Sequence, residues 1–140
     1  MLYAGGDEGR TIHIGDNSNL QDGVIVHALE TTDHGKNIDD RRYSARGSLL
    51  KANDTAFKNG FAVYIGDKVS LAHGSMVHGP AYVGNDTFVG MKIFIFNAKV
   101  GKRVAIGVSS TVTDGVTIAD NKFVPPGSII TTQASRCVTC

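Results

Sequence analysis

Two histidines, His73 and His78, stand five residues apart in the stretch LAHGSMVHGP, residues 71–80. Imidazole nitrogens are zinc ligands, so the pair suggests a metal centre. A zinc-binding helix places its histidines four residues apart, and two residues on the same side of a strand are separated by an even number. A spacing of five fits neither arrangement, so the chemistry depends on the element that carries the pair.

Aliphatic residues recur at every sixth position through most of the chain. The same phase occurs early, at Ile14, Leu20 and Val26. The main series runs Ile65, Leu71, Val77, Val83, Val89 and Ile95 and, after one step of five, Val100, Ile106, Val112, Ile118, Val124 and Ile130. An amphipathic helix has a period of about 3.6 and a half-buried strand a period of 2, whereas six is the period of a parallel β-helix.

The period predicts an all-β chain in which each six-residue unit is a short strand followed by a corner. Three units close a triangular coil around the aliphatic residues, and backbone hydrogen bonds join neighbouring coils. We expect one domain over residues 1–140 with about five coils, which begin at Ile14, Ile65, Val83, Val100 and Ile118. Residues 31–61 lack the period and are predicted to form a long loop inserted after the first coil. Residues 134–140 are predicted to form a tail, and SLLKAND, residues 48–54, is compatible with a turn of helix.

The phase of the repeat accounts for the spacing of five. Val26 and Val77 occupy equivalent positions on neighbouring coils, so His27 and His78, which follow them, share one corner of the prism. At a coil spacing of about 4.8 Å, the two imidazoles can converge on one metal ion with Zn–N distances of about 2.0–2.1 Å. His73 lies on a different corner and points away from the pair within one chain.

A cyclic trimer brings these two corners together. If three prisms pack side by side, the His27 and His78 corner of one chain meets the His73 corner of its neighbour. Gln21 and Asp22 lie one coil below His73 and would reach the same site. Three histidines with an open fourth position are typical of catalytic zinc, and Fe²⁺ or Co²⁺ would also suit three imidazoles.

Composition and the remaining reactive residues argue against several classes of protein, namely nucleic-acid-binding, membrane-spanning and disulfide-stabilised proteins. The net charge of the 140 residues is +1, which gives no electrostatic reason to expect nucleic-acid binding, and no apolar run is long enough to span a membrane. MLYAGG lacks the features of a signal peptide, so we expect a cytoplasmic protein, although Met1 opens directly into patterned sequence as if the natural start lay upstream. His13 and His34 are expected to be ordinary surface or corner residues whose imidazoles are satisfied by the backbone. Cys137 and Cys140 are too few for a disulfide scaffold and are expected to lie in a frayed tail.

Several segments resemble γ-class carbonic anhydrases, a family that includes archaeal enzymes and the N-terminal domain of carboxysome scaffold proteins. The segments are DEGRTIHIGDNSNLQDGVIVHALET (7–31), YIGDKVSLAHGSMVHGPAYVGNDTFVGM (64–91), FNAKVG (96–101) and FVPPGSIITTQA (123–134). The resemblance implies a left-handed β-helix and a homotrimer. It implies that His27 and His78 of one chain and His73 of its neighbour bind zinc, and that a metal-bound hydroxide reversibly hydrates CO₂ to bicarbonate.

The resemblance also implies roles for polar residues near the ligands. Gln21 matches the residue that hydrogen-bonds the hydroxide, and Asn19 matches a nearby orienting amide. Glu8 matches a carboxylate beside the metal-bound solvent. Glu30 matches the loop glutamate that is proposed to carry the proton to solvent.

The chain departs from the family at the subunit interface. Asp7 and Asp22 match carboxylates of an interface network, but Gly5 stands where the family has the arginine that pairs with them. The family's C-terminal helix, with its active-site asparagine, has no counterpart in these 140 residues. These departures favour an alternative function, a weakly active or inactive trimeric scaffold or assembly domain. A hexapeptide acyltransferase with one histidine as base is a third hypothesis, which three histidines in phase disfavour.

Overall fold

The computed structural model describes residues 3–5, 11–28, 32–33, 36–37 and 41–131, and strands make up almost all of its regular structure. The strands are β1 (Tyr3–Gly5), β2 (Ile12–Ile14), β3 (Asn19–Leu20), β4 (Ile25–His27), β5 (Thr32–Asp33), β6 (Lys36–Asn37), β7 (Arg42–Tyr43), β8 (Leu49–Leu50), β9 (Val63–Ile65), β10 (Ser70–Leu71), β11 (Met76–Val83), β12 (Phe88–Val89), β13 (Phe94–Val100), β14 (Ala105–Ile106), β15 (Thr111–Val112), β16 (Thr117–Ile118), β17 (Phe123–Val124) and β18 (Ile129–Ile130). The single helix within the described ranges is a 3₁₀ turn, Phe57–Asn59. No described helix has the length and apolarity that crossing a bilayer requires.

The strands outside residues 31–61 stack in parallel on three faces of a prism. Face 1 holds β2, β9, the second halves of β11 and β13, and β16. Face 2 holds β3, β10, β12, β14 and β17. Face 3 holds β1, β4, the first halves of β11 and β13, β15 and β18. The chain is therefore the predicted left-handed parallel β-helix.

The predicted aliphatic residues pair in register along each face and fill the prism. On face 3, for example, Val77 lies between Val26 and Ile95. Ile14 on coil 1 is 37 % exposed and Leu20 is partly buried, whereas all the others are at most 2 % exposed. Each fully buried aliphatic side chain contributes about 1.5–3 kcal/mol, so the six-residue period is also the main source of stability.

Corners are made by close backbone contacts and by left-handed residues. A Cβ added to Gly84 would lie 2.7 Å from the carbonyl carbon of Gly101 on the next coil, which explains why glycine often follows the aliphatic residue. The corner between faces 1 and 2 places one residue of each coil at a positive φ, and these residues are Asn17, Lys68, Asp86, Arg103 and Asn121.

The one step of five in the repeat falls where face 3 turns into face 1. The register runs from the pair His78 and Phe96 to the pair Ala81 and Ala98, so Gly79 and Pro80 together oppose the single residue Asn97. Asn97 has a φ of 51°, and the Gly79–Pro80 bond is cis. The left-handed conformation of Asn97 lets coil 3 turn this corner with one residue, where coil 2 uses two.

The inserted segment 31–61 is more structured than a simple loop. Strands β5 and β6 pair with each other, as do β7 and β8, and Tyr43 also bridges to Phe61. The helical turn considered for residues 48–54 is wrong, because Leu49 and Leu50 pair with β7 and the helical turn lies at Phe57–Asn59 instead. Docking onto face 1 buries Tyr43 against Tyr82, with ring centroids 5.8 Å apart.

Two side chains of the prism hold this hairpin in place. Lys99 Nζ donates a hydrogen bond to the carbonyl of Gly47 at 2.8 Å. Asn97 Oδ1 accepts a hydrogen bond from Arg41 at 2.9 Å. The second half of the insertion is thus packed along the outside of the prism.

Candidate metal centre

Strands β4 and β11 place His27 and His78 side by side on neighbouring coils. They are register partners, as the phase of the repeat predicts. Both side chains are half-buried, their ring centroids are 5.0 Å apart, and Nδ1 of His27 lies 3.2 Å from Nε2 of His78. Two imidazole nitrogens therefore converge at the corner between faces 3 and 1.

The neighbouring carbonyl fixes the tautomer of His78. Its Nδ1 lies 2.9 Å from the carbonyl oxygen of Gly79. A carbonyl oxygen can only accept, so Nδ1 of His78 carries the proton and donates it. In the neutral ring Nε2 then bears a lone pair and accepts the hydrogen bond from Nδ1 of His27. The lone pair of His78 is thus directed towards the place between the two rings.

This geometry fits a metal ion. Two nitrogen ligands of a tetrahedral zinc ion, at Zn–N distances of about 2.0–2.1 Å, are about 3.3 Å apart, close to the 3.2 Å between the two rings. The carbonyl of Gly79 supplies the outer hydrogen bond that metal-ligating histidines usually make. An ion could take the place of the shared proton with little change in the separation of the two nitrogens.

His73 lies on another corner, between faces 2 and 3, and its side chain is exposed. Its carbonyl oxygen accepts a hydrogen bond from the amide of Lys92 on the next coil at 3.0 Å. Across the ranges that the structure describes, no three histidine, cysteine, aspartate or glutamate side chains of one chain come together as a possible metal site. A third histidine, cysteine or carboxylate ligand from within these ranges would therefore have to come from another chain.

Gln21 and Asp22 lie on the corner that carries His73, and Asn19 lies next to this corner in strand β3, paired with Ser70. The amide of Gln21 donates to the carbonyl of Leu71 at 3.0 Å, and the amide of Gly74 donates to the carbonyl of Asp22 at 3.1 Å. These bonds place Gln21 and Asp22 one coil below His73, as predicted. Asn19 is exposed on face 2, three residues before Asp22.

Several residues singled out by the sequence lie outside the described ranges. They are Asp7, Glu8, Glu30, His34, Cys137 and Cys140. The backbone of Gly5, in contrast, is described and pairs with His27. The position that carries an arginine in the resembling family is thus directly below a proposed ligand.

Two further aromatic contacts distinguish the histidines. Phe96, which the sequence argument did not include, packs its ring edge-to-face on His78 with centroids 5.0 Å apart. It follows Ile95 as His78 follows Val77, so the six-residue phase alone could have placed it. His13 stacks on Tyr64 at 4.4 Å and donates from Nδ1 to a backbone carbonyl at 3.1 Å. The prediction that His13 is satisfied by the backbone is confirmed.

Comparison with known proteins links the chain to two groups of relatives. It is 46% identical over 129 residues to a carbonic anhydrase of Methanosarcina thermophila, a match that covers 91% of this chain and 47% of the relative. It is 38% identical over 129 residues to the carboxysome assembly protein CcmM of Nostoc sp., where the same 91% of the chain matches 19% of the relative. The CcmM of Synechococcus elongatus is 36% identical over 127 residues, with 91% of this chain and 20% of that protein covered.

The chain is a homologue of both groups. The resemblance to γ-class carbonic anhydrases carried by its motifs is thereby confirmed. No family model matches the chain. The chain spans about half the length of the carbonic anhydrase and about a fifth of the length of the two assembly proteins.

Proposed function

We propose that this γ-class carbonic anhydrase homologue holds a divalent metal ion, with Zn²⁺ first and Fe²⁺ or Co²⁺ as alternatives, and catalyses the reversible hydration of CO₂ to bicarbonate. The observation that carries the proposal is the 3.2 Å approach of the His27 and His78 nitrogens, together with the anchoring of His78 by the Gly79 carbonyl. Similarity to a carbonic anhydrase supports the choice of reaction. When bound, such an ion supplies the Lewis acidity that makes a hydroxide nucleophile available near neutral pH.

The third ligand is proposed to be His73 of a neighbouring chain in a homotrimer. Face 3 lies between the two histidine-bearing corners, so joining these corners around a threefold axis turns face 3 of each chain towards the axis. The outward side chains of this face are largely apolar, and Phe94 and Ile129 are 37 % and 69 % exposed. Exposed large apolar side chains of this kind mark interaction surfaces, which supports a trimer with face 3 inside.

The polar residues then have distinct tasks. Gln21, from the chain that supplies His73, hydrogen-bonds the attacking oxygen, and Asn19 orients the same group. Glu8, which lies outside the described residues, is proposed from the resemblance alone as a carboxylate that acts on the same oxygen. Hydration of CO₂ by water yields bicarbonate and one proton, and Glu30 passes that proton to solvent, as a carboxylate can in acid–base catalysis.

The second candidate is a trimeric scaffold or assembly domain that keeps the fold, with or without the metal ion, and has little or no turnover. One structural observation favours it. Gly5 is the register partner of His27, so this position offers no guanidinium to pair with Asp7 and Asp22. Similarity to the carboxysome assembly proteins CcmM points in the same direction.

Stopped-flow CO₂ hydration tests the proposal. The protein is purified without air, loaded with zinc and compared with the variants His73→Ala and His13→Ala. We expect one zinc ion per chain and activity that His73→Ala abolishes and His13→Ala retains. Full zinc occupancy without CO₂ hydration activity would contradict the enzymatic function and favour the assembly domain. Absence of zinc together with absence of activity would contradict the metal centre and reopen the acyltransferase hypothesis.

A further inference from the structure

The corner residue Asn97 lies next to the backbone group that anchors His78. The register of β11 and β13 sets Gly79 and Pro80 opposite Asn97 alone, one coil apart. Gly79 supplies the carbonyl oxygen that accepts a hydrogen bond from Nδ1 of His78 at 2.9 Å. Gly79 and Pro80 are both buried, and closely packed groups transmit small displacements to their neighbours. The position of Asn97 therefore bears on the direction of the His78 ring.

Two hydrogen bonds hold Asn97 in its left-handed conformation. Its φ is 51°, a value that a residue other than glycine keeps only where its surroundings favour it. Its carbonyl oxygen accepts from the amide of Gly115 on the next coil at 2.7 Å. Its side-chain oxygen accepts from Nη1 of Arg41 at 2.9 Å. Without Arg41, the asparagine amide could bond to nearby backbone instead and favour another conformation of the corner.

The hairpin β7–β8 presents Arg41 to this corner from a docked position. Independently of Arg41, the hairpin is held by the packing of Tyr43 on Tyr82 and by the bond from Lys99 to the carbonyl of Gly47. The guanidinium group is planar and offers its donors in a fixed geometry. Arg41 is itself half-buried. A continuous path of contacts thus leads from the hairpin to the metal centre.

We propose that Arg41 is a positioning residue of the metal centre. It holds Asn97 in the arrangement that presents the Gly79 carbonyl to Nδ1 of His78, and so keeps Nε2 of that ring directed at the ion. The outer hydrogen-bond partners of metal-ligating histidines orient the ring and strengthen metal binding. The inference rests on the metal ion of the proposed function, and it needs neither the trimer nor turnover. It gives the inserted hairpin a task in retaining the metal.

Zinc affinity, measured by competition with a chromophoric chelator, tests the proposal. All proteins carry Cys137→Ser and Cys140→Ser, so that the tail binds no zinc. Arg41→Met keeps a long side chain and removes the donor. It should raise the Kd for zinc about threefold to thirtyfold, the range for residues that act through a network of contacts. Lys99→Met is the matched control, because it removes the 2.8 Å bond to Gly47 at the hairpin turn, and it should leave the Kd unchanged.

Variants of Asn97 separate the hydrogen bond from the conformation of the corner. Asn97→Gly removes the acceptor, while glycine still adopts a positive φ. It should weaken zinc binding as Arg41→Met does. The double variant should bind zinc no more weakly than either single variant, because both changes break the same bond. Asn97→Asp keeps an acceptor for Arg41 and should bind zinc as tightly as the wild type.

The visible absorption of bound Co²⁺ gives a readout that a loss of stability alone would not change. At saturating Co²⁺, Arg41→Met and Asn97→Gly should shift the absorption bands because His78 approaches the ion at another angle, whereas Lys99→Met should keep the wild-type spectrum. An unchanged zinc Kd in Arg41→Met, or an equal rise in Lys99→Met, would overturn the role of Arg41 if the wild type binds one zinc ion per chain. A wild type that binds no zinc would overturn the metal centre itself, and the inference with it.

Discussion

Removal of His78 should abolish the stabilisation of the fold by zinc. Zinc at about one hundred times its Kd stabilises the native state by about 2.7 kcal/mol. The entropy of unfolding scales with chain length, and 140 residues correspond to about 0.3 kcal/mol/K near the Tm. The wild type should therefore gain about 9 °C in Tm when zinc replaces a chelator, and His78→Ala should gain close to nothing.

The measurement is a pair of thermal unfolding curves for each variant, one with zinc and one with a chelator. Cys137 and Cys140 are replaced by serine throughout, so that zinc cannot bind at the tail. His13→Ala is the matched control, because His13 is also half-buried and also stacks on a ring, that of Tyr64 at 4.4 Å.

The control should lower the Tm in both media and keep the full difference between them. If His78→Ala retained a zinc-dependent shift comparable with that of the wild type, the ion would be bound elsewhere. The convergence of the two nitrogens would then be a structural hydrogen bond only.

Three further predictions concern the prism that holds the centre. Ile95→Ala should lower the free energy of unfolding in urea by about 2–5 kcal/mol, because Ile95 is fully buried. Ile14→Ala should lower it by about half as much or less, because Ile14 is 37 % exposed. Equal losses would contradict a core formed by the stacked aliphatic residues inside the prism. Burial raises the pKa of Tyr43 and Tyr82 above 10.0, so the unfolded chain loses these protons first and the free energy of unfolding should fall above about pH 10. Spectroscopic titration of tyrosine ionisation in the wild type and in Tyr82→Phe checks this prediction. If the alkaline titration curve of the variant equalled that of the wild type, Tyr82 would not be one of the groups with a raised pKa. Gly84→Ala should lower the urea midpoint, because the added carbon would lie 2.7 Å from the next coil; a midpoint equal to that of the wild type would contradict the tight corner.

The coils were predictable because one physical rule repeats. A buried aliphatic residue every six positions sets the phase, and the phase alone predicts that Val26 stacks on Val77 and His27 on His78. The same rule could have placed Phe96 beside His78. A phenylalanine ring has no ligand atom, so its residue type gives no sign that it belongs to a metal site.

Structural features that the six-residue period does not determine were not predictable from the sequence. The hairpin β7–β8 has no six-residue signal, and its strands form through local pairing and docking on Tyr82. The step of five was visible in the sequence, but not that Asn97 would absorb it with a φ of 51°. The tautomer of His78 depends on the Gly79 carbonyl, which is a matter of three-dimensional placement.

The docked hairpin changes how the whole molecule should unfold. In a solenoid each repeat contacts only its neighbours, so the ends can melt separately from the middle. Here the hairpin β7–β8, which lies between coils 1 and 2 in the sequence, contacts Tyr82 of coil 3 and Lys99 of coil 4. A segment that precedes coil 2 in the chain therefore contacts coils 3 and 4, and coils 2 to 4 should melt together in a single cooperative transition.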